Sequence, residues 1–221
     1  MTRTLLLMCG IVSSALYVAM NVFIPMWWES YSSLSQTVSE LSAIGAPTRP
    51  IWVPFGMAYT LLMAAFGWGV VVSAGRSRAL RVAGLAMVAH GVIGLAWPPM
   101  HMRETLAAGG ATLTDTLHLV FTMVTVLLML LAMGFGAAAL GKPFKRYSIA
   151  TMVILFVCGL MTVPDAARVQ ANLPTPWVGV WERMNIGVFL LWVVVLAIVL
   201  LRARVTADGR LTRATRAAGA R

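Results

Sequence analysis

Six apolar runs separated by short polar stretches organise this chain. They cover residues 5–24, 51–74, 82–97, 116–140, 149–163 and 177–201, and charge is confined almost entirely to the gaps between them. A helix rises about 1.5 Å per residue, so about twenty apolar residues cross about 30 Å of hydrocarbon. The pattern therefore predicts an all-α polytopic membrane bundle of six transmembrane helices over residues 1–201. One gap is not generic loop. In residues 31–49, YSSLSQTVSELSAIGAPTR, Leu34, Val38 and Leu41 recur at helical spacing, and Ser35, Ser39 and Ser42 repeat that spacing one position later. Ser33 with Gln36 reads as a capping box, and Gly45 with Pro47 as a stop. The stretch predicts a short amphipathic helix of about three turns over residues 34–44, with Glu40 in its second half. Such a helix is either an interfacial connector between two spans or a lid holding Glu40 and the serines over a polar pocket.

The basic residues orient the spans. Arg3, Arg76, Arg78, Arg81, Lys142, Lys145, Arg146 and the six arginines from Arg202 onward, thirteen of the seventeen Lys and Arg, fall on the side of the termini. Arg49, Arg103, Arg168 and Arg183 fall on the other side, with Glu29, Glu40, Glu104, Asp115, Asp165 and Glu182, six of the seven carboxylates. Both termini are thereby expected in the cytoplasm and the acidic face outside. Only 11% of the 221 residues are charged, against about 25% in soluble domains, so the lipid bilayer is the expected partner. The net charge of +10 does not point to nucleic acid, because the basic residues are dispersed between apolar runs rather than clustered on a soluble module. Residues 202–221 are basic, small and polar, with nothing to build a core, and predict a disordered cytoplasmic tail lying against anionic headgroups. Cys9 and Cys158 sit inside apolar runs as small hydrophobes, which indicates neither a disulfide framework nor a cysteine zinc site.

The candidate chemistry gathers toward the acidic face. Asp115, His118, Thr122 and Thr125 follow one face of the fourth span. An ionisable group at the centre of a span costs about 2.5–3.5 kcal/mol, so this face should look into protein, with Asp115 and His118 as mutual partners. His90 lies on the third span, and the chain then turns through Pro98 and Pro99 to His101. A catalytic zinc takes about three protein ligands, and His101, His118 and a carboxylate from Asp115 or Asp165 supply that set, although no HxxxH or HExxH spacing is present. A haem held by His90 and His118 is a further option. In the sixth span Glu182 and Arg183 point about 100° apart, so each requires a partner elsewhere. Asp165, Asp115 or Glu40 would serve Arg183, and Arg49 or a histidine would serve Glu182. These charges are either struts fixing the outer ends of the spans or, with Ser39, the lining of a pocket. An offset of 65 residues relates Arg81 and Pro99 to Arg146 and Pro164, which reads as a duplicated hairpin whose short first helix ends in proline.

Four segments together, SELSAIGAPTRP from Ser39, WPPMH from Trp97, TDTLH from Thr114 and VGVWERMNIGVFLLW from Val178, resemble a bacterial six-helix membrane family known as domain of unknown function nine-nine-eight. The resemblance implies a multi-pass protein of the bacterial inner membrane and assigns no activity to any residue. A second resemblance, to alkaline-ceramidase-like membrane hydrolases, rests on the ingredients His90, His101, His118, Asp115, Asp165 and Ser39 in a chain of six spans rather than seven. The expectation that follows is a six-helix inner-membrane protein with an outward-facing polar pocket for an amphipathic or lipid-like ligand, formed by Ser39, Glu40, Arg49, His101, Asp115, His118, Asp165, Glu182 and Arg183. The alternatives are a metal-dependent intramembrane hydrolase of an outer-leaflet ester or amide, with Glu40 or Glu182 as general base, and a structural or partner-binding subunit. A transporter is not expected, because the polar stripes stop below Thr125 and Asn185.

Overall fold

The computed structural model describes residues 2–218, with side chains described as far as residue 203. Helix α1 (Thr2–Phe23) runs into a 3₁₀ turn at Ile24–Trp27, and α2 (Arg49–Ser73), α3 (Arg78–Leu95), the short α4 (Arg103–Ala107), α5 (Leu113–Ala139), α6 (Lys142–Gln170) and α7 (Val178–Ala218) follow. Local chemistry sets several of the starts. Proline occupies the first turn of α2 and of α6, where its missing N–H would be unsatisfied anyway. The Ser77 hydroxyl accepts the Leu80 N–H at 3.2 Å, and Thr112 and Asp115 form a reciprocal capping box on α5.

All the helices except α4 are long and apolar enough to cross a membrane, which makes this a multi-pass membrane protein. They form a ring: α1 packs on α2, α2 on α3, α3 on α5, α5 on α6, α6 on α7, and α7 returns to α1. Six crossings bring Thr2 and Ala203 to one end of the bundle, the terminal end. Residues 24–48, 96–112 and 171–177 gather at the other, the loop end. The terminal half is solid, packed with Leu7, Phe66, Val70, Met87, Met133, Phe144, Trp192 and Leu196, and Trp192 Nε1 donates to Ser148 Oγ at 2.9 Å. A smaller cluster of Met20, Ile24, Val38, Leu41 and Trp52 lies beneath the first loop. Helices α2 and α3 touch backbone to backbone, since a Cβ on Gly67 would stand 2.5 Å from the Val88 nitrogen and one on Gly91 2.6 Å from the Ala64 nitrogen.

Three expectations change. The three-turn helix over residues 34–44 is instead a run of turns with one 3₁₀ helix, Ser39–Ser42, and Ser32, not Ser33, pairs with Gln36. The physical reason is competition, because side chains capture the backbone groups that a helical ladder would have used. Pro164 lies inside α6, which continues to Gln170, as spans allow when neighbouring groups absorb one lost bond. The proline-terminated hairpin repeat therefore fails, since α3 has 18 residues and α6 has 29. The disordered tail expected over residues 202–221 is helical backbone of α7 as far as Ala218, and residues 219–221 lie outside the described residues.

The α2–α3 contact generates a pair of opposed outcomes. Alanine at Gly67 meets backbone atoms that cannot swing aside, so overpacking should outweigh the helix-propensity gain and cost about 1–3 kcal/mol. Alanine at Gly134 meets nothing within 4 Å and should gain up to about 1 kcal/mol. Melting of the detergent-solubilised variants, followed by tryptophan fluorescence, reads both.

Candidate functional site

The loop end is closed by a buried ion pair. Glu40, on the 3₁₀ helix, is 2% exposed and Arg103, at the start of α4, is 8% exposed. Arg103 Nε donates to Glu40 Oε1 at 2.6 Å and Nη2 to Oε2 at 2.8 Å, a bidentate fork. The rest of the guanidinium is used as well: Nη1 donates to Thr175 Oγ1 at 2.8 Å and Nη2 to the Ser35 carbonyl at 3.1 Å. The Glu40 carboxylate also accepts the Thr37 N–H at 2.7 Å, the Thr37 hydroxyl at 2.9 Å and Gln36 Nε2 at 3.2 Å. One side chain thus joins all three loop-end segments.

Helix α7 holds the same loop from beneath. Arg183 Nη1 donates to the carbonyls of Ser33 and Gln36 at 2.8 and 3.1 Å, and Nη2 to the Tyr31 hydroxyl at 2.6 Å. The Tyr31 hydroxyl in turn donates to the Thr37 carbonyl at 2.7 Å. Burial pushes the Tyr31 phenol up, against an opposing pull from Arg183. Glu182 Oε2 accepts the Val38 N–H at 2.5 Å. The partners expected for Arg183 and Glu182 were charged or histidine side chains, but the structure gives both to the loop, Glu182 to a backbone N–H and Arg183 to backbone carbonyls and the Tyr31 hydroxyl. A guanidinium and a carboxylate satisfy stray carbonyls and N–H groups as well as they satisfy each other. Arg49 donates from Nη1 to the Ser42 carbonyl.

The metal set does not converge. His101 Nδ1 lies 2.9 Å from Asp115 Oδ2, and the His101 N–H donates to Oδ1 at 2.7 Å. The same carboxylate caps α5 through the Thr112 N–H at 2.8 Å, so Asp115 is committed to His101 and to its own helix rather than to His118. His118 Nδ1 lies 2.8 Å from the Pro98 carbonyl and Nε2 3.1 Å from Ser39 Oγ. Both His118 nitrogens thus have hydrogen-bond partners, neither of them Asp115 or His90. Asp165 stands apart, 3.9 Å from Arg168. Among the described residues no group of three His, Cys, Asp or Glu side chains is placed to hold a metal ion.

Beneath the loop lies a cavity of about 310 Å³ between α1, α2, α3, α5 and α7. Ser39, Arg49 and Glu182 line its upper part, and Tyr59, His90, Thr125, Met129 and Phe189 its lower part. Val53, Gly56, Met57, Leu95 and Trp97 also border it. Val53, Met57 and Leu95 are exposed, Met57 to 49%, and a Cβ on Gly56 would meet nothing within 4 Å. The wall is therefore open beside α2 beyond the last turn of α3. The buried His90 Nδ1 has no partner among the described residues, and the imidazole packs 5.5 Å from the Phe189 ring. Sequence reasoning found Ser39, Glu40, Arg49 and Glu182 but missed Arg103, whose only trace was a basic residue on the acid-rich side. It also missed Tyr31 and Thr175, which carry no charge pattern at all.

Breaking a buried pair leaves an uncompensated charge and costs about 3–5 kcal/mol. Arg103→Gln and Glu40→Gln should each lower stability by that order, and combining them should cost less than the sum of the single losses. Melting in detergent, with limited proteolysis of residues 31–49 as a second readout, checks the coupling.

A family described as a protein of unknown function (DUF998) matches residues 11–199. No curated protein and no solved structure matches the chain. The sequence segments and the six-span ring agree with that assignment, and the chain belongs to this family of membrane proteins of unknown function.

Proposed function

We propose that the cavity beneath the loop-end cap receives an amphipathic, lipid-like ligand from the bilayer. The observation that carries the reading is the cavity's opening. Its wall is missing beside Gly56, about 10 Å along α2 from Arg49 at 1.5 Å per residue, a depth that lies within one leaflet of the hydrocarbon. Water has no reason to fill an opening at that depth, whereas an acyl chain already occupies the space outside it. The volume is at the lower end of the range of about 300–1,000 Å³ for ligand pockets, which fits one chain better than a whole two-chain lipid.

The upper lining suits a polar head. Arg49 and Glu182 both line the cavity, and neither takes part in a salt bridge within 4.0 Å among the described residues. Each presents further hydrogen-bonding capacity to whatever enters. Tyr17 and Tyr59 add phenol groups near the apolar floor, their rings packed at a tilt of 51° with centroids 4.6 Å apart. The excess of Lys and Arg at the terminal end supports cytoplasmic termini, so this cavity would face outward from the cell.

The test uses a phospholipid with a diazirine in one acyl chain, incorporated in vesicles with the full-length protein. Illumination should crosslink it to cavity residues such as Thr125 and Met129, in addition to lipid-facing residues such as Trp68. Gly56→Leu, whose side chain has room to grow into the opening, should remove the cavity crosslinks and leave those at Trp68. Crosslinks confined to the outer surface of the wild type would sink the reading.

A further inference from the structure

We infer that Ser39 and His118 form a nucleophile–base pair at the top of the cavity, and that the site transfers the acyl group of an ester presented there. The substrate class rests on the lipid-binding reading above; the geometry of the pair does not. A carbonyl can only accept, so the 2.8 Å contact with Pro98 requires the proton on His118 Nδ1. In the neutral ring Nε2 then presents its lone pair, and Ser39 Oγ is 3.1 Å away. The Pro98 carbonyl performs the orienting task that a third group performs in nucleophile–base–orienter triads.

The surroundings fit that use. His118 is 4% exposed and packed at right angles to the Trp97 ring, 5.2 Å between centroids, so bulk water does not compete for the imidazole. Ser39 is half-buried and lines the cavity. The other aliphatic hydroxyls along the wall are spoken for: those of Ser42, Thr60, Thr122 and Thr125 donate to carbonyls of their own helices. Arg49 reaches the same part of the cavity with one N–H given to the Ser42 carbonyl, which leaves donors for a carbonyl oxygen that becomes negative.

The step balances without a metal or a redox partner. Ser39 Oγ bonds to the ester carbonyl carbon as its proton passes to His118 Nε2. Collapse breaks the carbon–oxygen bond to the alcohol, whose oxygen takes that proton. Water then attacks the acyl-Ser39 carbonyl, gives its proton through the same nitrogen, and releases the carboxylic acid with the serine hydroxyl restored.

Two probes test the assignment on the detergent-purified full chain. A fluorophosphonate should add once, on the peptide carrying Ser39, and p-nitrophenyl butyrate should leave a butyryl mass on the same residue. Ser39→Ala should abolish both adducts while the variant still folds and melts cooperatively. His118→Gln should slow labelling about 10²-fold or more, the share a general base contributes. If that variant does not fold, Arg49→Gln leaves the Ser39–His118 contact in place and should slow acylation about 10²-fold, as loss of one oxyanion donor does. A well-folded wild type without an adduct on Ser39, or equal rates in the foldable variants, overturns the pair. If the Ser39 adduct is missing but the diazirine lipid still crosslinks to cavity residues in that same protein, the acyl-transfer step alone is overturned; if both experiments fail, the lipid reading falls with it.

Discussion

The Arg103–Glu40 pair is the constraint on which the loop end depends. Its two charges sit where almost no water reaches, and such a pair is tolerable only if every remaining proton and lone pair is also satisfied. The structure meets that condition by drawing in all three loop-end segments: Ser35 and Thr37 from the first, Arg103 from the second and Thr175 from the third. Once the pair is made, the first loop does not run on as a regular helix, because several of its N–H groups and carbonyls are bound to side chains. Arg183 and Glu182 extend the same logic from α7, anchoring the loop to the bundle at Ser33, Gln36 and Val38.

That cap explains why the two halves of the bundle differ. Toward the terminal end, large apolar side chains from every spanning helix close the ring, and glycines let α2 and α3 meet without a gap. Toward the loop end α3 stops at Leu95, while α2 continues to Arg49 beside it, and the extended segment that follows cannot fill the volume of a helix. A ring with one short member, roofed by a rigid polar loop, leaves a space. The upper lining of that space is polar because the roof is polar; its lower lining is apolar because it is the interior of a membrane bundle.

The His118 site follows from the same geometry. A histidine buried in a span requires partners, and the chain supplies them from outside its own helix: Pro98 at the turn after α3, and Ser39 on the roof. The contact therefore joins the three parts that define the cavity, which is why a structural histidine in this position also stands ready for proton transfer.

The six spans were legible in the sequence because crossing a bilayer imposes length and apolarity on each segment separately, a local requirement that a single run of residues meets or fails. Which side chains within the spans would be polar and inward was legible for the same reason: His118, Glu182 and Arg183 stood out against apolar surroundings. Their partners were not. Asp115 was assigned to His118 and turned instead to His101, and the helix expected from the spacing of Leu34, Val38 and Leu41 gave way to 3₁₀ and turns. Arg103 looked like an ordinary loop arginine. Helical spacing records only which residues share a face, whereas the pairing of Arg103 with Glu40, 63 positions earlier, and of His118 with Ser39, 79 earlier, depends on how the loops fold over the ring. Segment chemistry fixed the number and polarity of the spans; the cap, the cavity and the hydrogen-bond partners were decided only by tertiary structure, since they arise from desolvated groups meeting across the bundle.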